Sequence, residues 1–230
     1  MQFSITNQSE TNIKLTIQDE DIHSSDNINY LGIVIDKNLK FTDHIHKICK
    51  NTSKSLYLIR RLGQFCCSEV LITVYNSLIV PHFKYGIFIW GNSCNLKHVF
   101  KIQKTIIRTI FHKKRTSSCK EIFKINKILT ITSLYIYETI LFALQNPSYF
   151  EFEKESKHYQ TRPNNIISVA IHNTTFYKKH TIYNATNLIN NLPPQLKIYL
   201  SNITEFKKRL KNHLVNQCFY RLEDYYNPEE

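Results

Sequence analysis

A chain of 230 residues with 42% hydrophobic residues, 4 glycines and 6 prolines is long enough for one or two domains with a real core. It is too apolar for disorder and too poor in turn residues for a loop-dominated fold. Its net charge of +12 points to a polyanionic partner, and its short, charge-interrupted apolar runs exclude a helix that spans a membrane.

Residues 3–6, 13–17 and 28–35 are short and rich in Ile, Leu, Thr and Phe, and they predict a small antiparallel sheet. In the last of them Ile28, Tyr30, Gly32 and Val34 alternate with Leu31, Ile33 and Ile35, so both faces are apolar and a buried strand is expected. From Thr42 to Gln145 the chain reads as helices. Between Asp43 and Leu62 an apolar stripe of Ile45, Ile48, Thr52, Leu56 and Ile59 recurs at helical spacing. Thr42 or Asp43 is expected to cap its start and Gly63 its end. Ser68 is placed to cap a next helix with the face Leu71, Val74, Tyr75 and Leu78, stopped near Pro81. The aromatic run Tyr85 to Trp90 is read as core packing rather than a base-stacking platform. Asn95 to His112 repeats the helical plan with Leu96, Val99, Gln103, Ile106 and Ile110, and Ile131 to Leu144 predicts a largely buried helix. Pro147 and the polar stretch Glu151 to Asn165 read as a loop or linker. Residues 166–190 mix strand-like and turn-like pieces. Asn202, with Glu205 three residues on, predicts the cap of a last helix with the stripe Ile203, Phe206, Leu210 and Leu214. The acidic tail after Leu222 is expected to fray.

The fold class expected is α+β, mainly α: a small N-terminal antiparallel sheet, a helical bundle and a looser C-terminal region ending in a helix. The corresponding divisions are 1–36, 37–146, a linker or irregular segment 147–180, and 181–230.

Charge is concentrated in the helical part. Residues 1–36 carry Lys14 against Glu10, Asp19, Glu20, Asp21, Asp26 and Asp36. Residues 37–128 carry 18 Lys and Arg against Asp43, Glu69 and Glu121. Within that span the bases are patterned. Lys47, Lys50, Lys54, Tyr57 and Arg61 lie opposite the first apolar stripe, and Lys97, Lys101, Lys104 and Arg108 lie opposite the stripe of the Asn95 to His112 helix. Lys113, Lys114 and Arg115 follow at that helix's C-terminal end, where cations suit the dipole. Two helices built this way are fit to line a nucleic-acid groove through phosphate contacts, which confer affinity and salt dependence but little sequence selectivity. A solvated, lysine-rich surface is the competing explanation.

The six cysteines, Cys49, Cys66, Cys67, Cys94, Cys119 and Cys218, form no C-x-x-C pair and read as reduced thiols. His44 and His46 fall on nearly opposite sides of a helix, so no metal or other cofactor is expected. The opening MQFSITNQSE lacks the basic-then-apolar pattern of a signal peptide, and an intracellular location, cytoplasmic or nuclear, is expected.

A series of short blocks runs along the chain in order: Tyr30-Leu31-Gly32 with Ile33, Ile35 and Asp36; Leu39 and Phe41 leading to His44-Ile45; Leu58 to Leu62; Tyr75 to Ile79 with Pro81; Tyr85-Gly86 followed by Trp90-Gly91; Gln103 to Arg108; then Asn191-Leu192-Pro193 and Phe206 to Lys211. In order and spacing these resemble the reverse transcriptases of non-LTR (LINE-type) retrotransposons, downstream of the catalytic palm. The resemblance implies the last palm strands, the thumb and the C-terminal region of such an enzyme. It makes Tyr30, Leu31 and Gly32 primer-grip-like and the basic helices a holder of template and primer. The paired aspartates that hold two metals in that family match no position here, because the chain has no Asp-Asp pair. The expectation is therefore a fragment that binds RNA, DNA or an RNA–DNA hybrid without sequence preference and does not catalyse synthesis alone. A helical protein-interaction or structural module without nucleic-acid binding is the alternative. The sequence assigns no oligomeric state.

Overall fold

In a computed structural model, which describes residues 15–17, 20–22, 25–150 and 177–227, the protein is mainly helical, with small antiparallel pairs of strands near the N-terminus. Strands β1 (Leu15–Ile17) and β2 (Glu20–Ile22) form one pair, with Leu15 opposite Ile22. Strands β3 (Asn27–Tyr30) and β4 (Ile33–Asp36) form the other, with Asn27 opposite Asp36 and Tyr30 opposite Ile33. The strand expected at residues 3–6 lies outside the described residues.

The single buried strand expected over 28–35 is instead this second hairpin. Leu31 (φ 48°) and Gly32 (φ 85°) both adopt left-handed backbone, the two-residue turn whose twist suits antiparallel strands. The alternation that suggested two apolar faces is a chain reversal. All of β3 is exposed, and of this pair only Ile33 is buried.

After β4 the chain wraps round Asp36, whose carboxylate accepts from the backbone N–H of Asn38 (3.1 Å) and Lys40 (2.9 Å). Helix α1 (Thr42–Leu62) follows, burying the anticipated Ile45, Ile48, Thr52, Leu56 and Ile59 together with His44. Neither Thr42 nor Asp43 caps it. Phe41 holds the N-cap in left-handed backbone, Asp43 accepts a bond from Asn27 of β3, and Thr42 accepts one from Asn95. Gly63 ends the helix in ordinary right-handed geometry. Helix α2 (Ser68–Leu78) likewise lacks the expected serine cap, because the Ser68 hydroxyl donates to the Ile110 carbonyl across the core. Pro81 opens helix α3 (Val80–Lys84), whose first turn needs no proline N–H.

Helix α4 (Ile87–Trp90) buries Ile87 and Trp90 completely, whereas Tyr85, at the start of the aromatic run expected to pack in the core, is exposed. Helix α5 (Leu96–Ile110) lies along α1, and α6 (Lys120–Ile125) seats Phe123. Helix α7 (Ile131–Gln145) is central, touching α3, α4, α5, α8 (Thr181–Asn190) and α10 (Ile203–Gln217). Thr130 caps α7 by accepting from the Ser133 N–H and fixes the far end of the chain by donating to the Phe219 carbonyl (2.6 Å).

Residues 181–190, ambiguous in sequence, are helical and bury Ala185, Leu188 and Ile189 in the same cluster as α7. Short α9 (Pro194–Lys197) leads to α10, whose cap is the anticipated one: Asn202 accepts from the Glu205 N–H. Ile203, expected in its stripe, is instead exposed. The tail expected to fray after Leu222 instead begins as helix α11 (Glu223–Tyr226), and its last three residues lie outside the described residues. Tyr225 is buried there and donates to the Leu188 carbonyl. Most of the expected 147–180 linker lies outside the described residues. Among those described, no helix is long and apolar enough to cross a membrane.

Candidate nucleic-acid interface

The apolar stripes of α1 and α5 face inward, so the opposite faces are left to cations. On α1, Lys47, Lys50, Lys54, Tyr57 and Arg61 are all exposed. On α5, Lys97 and Lys101 are exposed while Lys104 and Arg108 are half-buried. Buried Gln103 breaks the apolar stripe of α5 without an unpaired group: its amide donates to the Tyr75 hydroxyl and the Leu129 carbonyl (both 2.9 Å) and accepts from the Ile131 N–H (2.8 Å).

The two ladders do not line one groove. An open groove of about 760 Å³ runs along α5, lined by Lys97, His98, Phe100, Lys101, Lys104, Thr105 and Arg108, with Arg60 from α1 and Arg115 from the following loop. Lys97 to Arg108 spans roughly 16 Å of helix at 1.5 Å per residue. Lys47, Lys50, Lys54 and Arg61 line no part of it, and neither do Lys113 and Lys114, which are exposed on the loop. Arg60 is the contributor that the sequence pattern passes over. It sits on the flank of α1, between the apolar stripe and the ladder, where helical spacing assigns no role.

Some of the cations are already engaged. The Lys104 ammonium lies over the rings of Phe100 (4.5 Å) and Tyr220 (5.5 Å), two aromatics that meet edge to face at 4.8 Å. Arg108 donates from Nε to the Ser117 carbonyl (3.0 Å), which folds the loop carrying Arg115 back onto the groove. Burial pushes the Cys119 thiol up against the opposing pull of Arg108 and Lys104, and it pushes the Tyr220 phenol up to about 12. Both stay protonated near neutrality and leave the cationic charge of the groove undiminished. None of the eleven anticipated cations forms an ion pair with a described carboxylate. Such a field, over low-dielectric aromatic walls, suits phosphate oxygens.

The blocks Tyr30-Leu31-Gly32, His44-Ile45 and Tyr85-Gly86 with Trp90 come together at the base of α1. The Tyr85 hydroxyl donates to the Leu31 carbonyl (2.5 Å), and Lys47 donates from Nζ to the Gly32 carbonyl (3.1 Å). Gly86, in left-handed backbone, would place a Cβ 2.5 Å from the Cδ1 of Ile33. Trp90 donates to the Tyr85 carbonyl, and the His44 ring meets Trp90 edge-on at 5.6 Å. The hairpin tip is thereby bolted to α1 and α4, presenting exposed Tyr30, Leu31 and Tyr85 beside the foot of the α1 ladder. The six cysteines are free, and among the described residues no three His, Cys, Asp or Glu side chains are grouped to hold a metal ion.

The chain is similar to a transposon polymerase. Over 87 residues, 35% of this chain, it is 30% identical to the probable RNA-directed DNA polymerase from transposon X-element of Drosophila melanogaster. That match covers 10% of the polymerase, so the chain spans about a tenth of its relative's length. No family model matches the chain, and no solved structure does. The similarity supports an origin related to retroelement reverse transcriptases.

Proposed function

We propose that the chain is the thumb and C-terminal part of a non-LTR retroelement reverse transcriptase, and that it holds template–primer nucleic acid by phosphate contacts without catalysing synthesis alone. On this reading residues 1–36 derive from the palm, residues 37–146 form the thumb-like unit, and the hairpin tip at Tyr30, Leu31 and Gly32 stands where the primer end is gripped. The observation that carries the proposal is the α5 groove, where Arg60, Lys97, Lys101, Lys104, Arg108 and Arg115 converge without a paired carboxylate. The similarity to a transposon polymerase supplies the partner class.

The test is a salt titration of binding to an RNA–DNA duplex. Each phosphate contact is expected to contribute about 0.9 to the log–log slope on B-form DNA, with a comparable term on a hybrid. Reversing Lys97 and Lys101 to Glu removes charge from the groove without touching a buried stripe, so affinity should fall and the slope flatten while the fold persists. An unchanged slope in that folded double variant would favour a protein-interaction module with a solvated basic face. Template-dependent nucleotide incorporation by the isolated chain, abolished by EDTA, would overturn the second half of the proposal.

A further inference from the structure

Away from the basic groove, a second open cleft of about 440 Å³ lies where α8 meets the loop after α4 and the C-terminal segment. Its chemistry differs. Carboxamides, not cations, dominate the wall, with the Tyr183 and Tyr226 rings beside them and Lys178 at the rim. The volume falls in the range of small-ligand sites.

Buried Asn184 is held at three points. Its oxygen accepts from Asn92 (3.0 Å), and its nitrogen donates to the carbonyls of Lys178 (3.1 Å) and His180 (3.0 Å). It therefore fixes both Asn92 and the backbone that carries Lys178. Exposed Asn191 spends its nitrogen on the Asn187 carbonyl (2.8 Å), and its side-chain oxygen accepts no hydrogen bond from a described residue. The half-buried Asn187 carboxamide takes part in no hydrogen bond with a described residue, so both its donor and its acceptor are available.

A free carboxamide held on a helix offers an adjacent donor and acceptor, the pattern that pairs with the N6 amino group and N7 of adenine. Aromatic rings nearby provide a face for a base, and a rim lysine provides for a phosphate. We infer that this cleft binds an adenine nucleotide, with Asn187 on the base edge, Asn92 and Asn191 completing the polar wall, and Lys178 on the phosphate. The adenine nucleotide is either free or an unpaired residue of a strand. The inference does not rest on the basic groove, which lies on other elements.

The test titrates the full chain with AMP, GMP, CMP, UMP and adenosine, followed by protein-observed NMR. AMP is expected to saturate the chain in the millimolar range or below and to bind roughly tenfold tighter than the other three mononucleotides. Asn187→Ala should erase that preference. Lys178→Ala, at an exposed position, should weaken AMP but leave adenosine unchanged. The groove variant with Lys97→Glu and Lys101→Glu should bind AMP as the unaltered chain does, which separates failure here from failure of the polymerase reading. A short oligoadenylate that outcompetes AMP in the groove variant identifies the strand as the source of the nucleotide; equal competition identifies the free nucleotide. Equal occupancy by all four mononucleotides, no saturable AMP binding, or an AMP preference that survives in Asn187→Ala would overturn the inference.

Discussion

His44 shows how one side chain ties the hairpin to the helical body. Its Nδ1 accepts from the Val34 N–H (3.4 Å), its Nε2 is buried without a partner, and its ring lies against Trp90. Burial, helped by the charge of Lys47, lowers its pKa to about 4 from an ordinary 6.5. The unfolded chain therefore binds a proton that the folded chain refuses, and stability rises with pH between those values. The contribution is complete above pH 6.5 and is lost as pH falls toward 4, by up to about 3 kcal/mol. His213, lowered by burial, acts in the same direction. Urea unfolding midpoints measured from pH 7 to 4 should fall steadily, and His44→Gln should flatten that dependence. Gly86 gives a second test at this scale. Its left-handed φ of 61° and the closeness of Ile33 both oppose a side chain, so Gly86→Ala should destabilise by about 1–3 kcal/mol in the same unfolding assay.

Among the elements, α5 depends on Gln103 as much as on its apolar residues. Gln103→Leu keeps the volume but strands the Tyr75 hydroxyl, the Leu129 carbonyl and the Ile131 N–H, and it should cost about 3 kcal/mol or more in denaturant unfolding. Long helices with a strict apolar repeat were legible in the sequence: α1, α5 and α7 fall within a residue or two of their predicted spans, and α10 starts at its predicted cap. Elements lacking that repeat were not. Helix α8 buries Asn184 and Thr186 among its apolar residues, so its inward face reads as polar. The β3–β4 turn was hidden because Leu31 occupies a left-handed position that sequence normally assigns to Gly, Asn or Asp. The cationic faces of individual helices were legible too. Which cations share a groove was not, because that depends on how α1 lies against α5 and on the Arg108 bond that turns the loop back.

At the scale of the whole molecule, the absence of the α1 ladder from the α5 groove makes a distinguishing prediction. If the α5 groove alone holds phosphates, Lys50→Glu with Lys54→Glu should shift affinity for an RNA–DNA duplex only through long-range charge, an effect that vanishes above physiological salt, where the Debye length is below about 8 Å. If the α1 ladder and the hairpin tip beside it also touch the duplex, that loss persists in high salt and Tyr30→Ala adds to it. Fluorescence anisotropy across a salt series reads the difference.

The bonds that close the C-terminal region onto the start of α7 have a consequence in time. Thr130 and Thr132, at the start of α7, donate to the carbonyls of Phe219 and Tyr220, and Ser133 donates to that of Leu214. The partners of the two threonines lie 89 and 88 residues further along the sequence. At ribosomal speeds of about 5–20 residues per second, the start of the central helix waits roughly 4–18 s after its own synthesis before its hydroxyls can be satisfied. Until then α7 has its apolar surface only partly covered, and the nascent chain is open to chaperones and proteases. A stalled or shortened product ending before residue 214 should therefore be degraded rather than accumulate, and pulse-chase labelling would follow its loss.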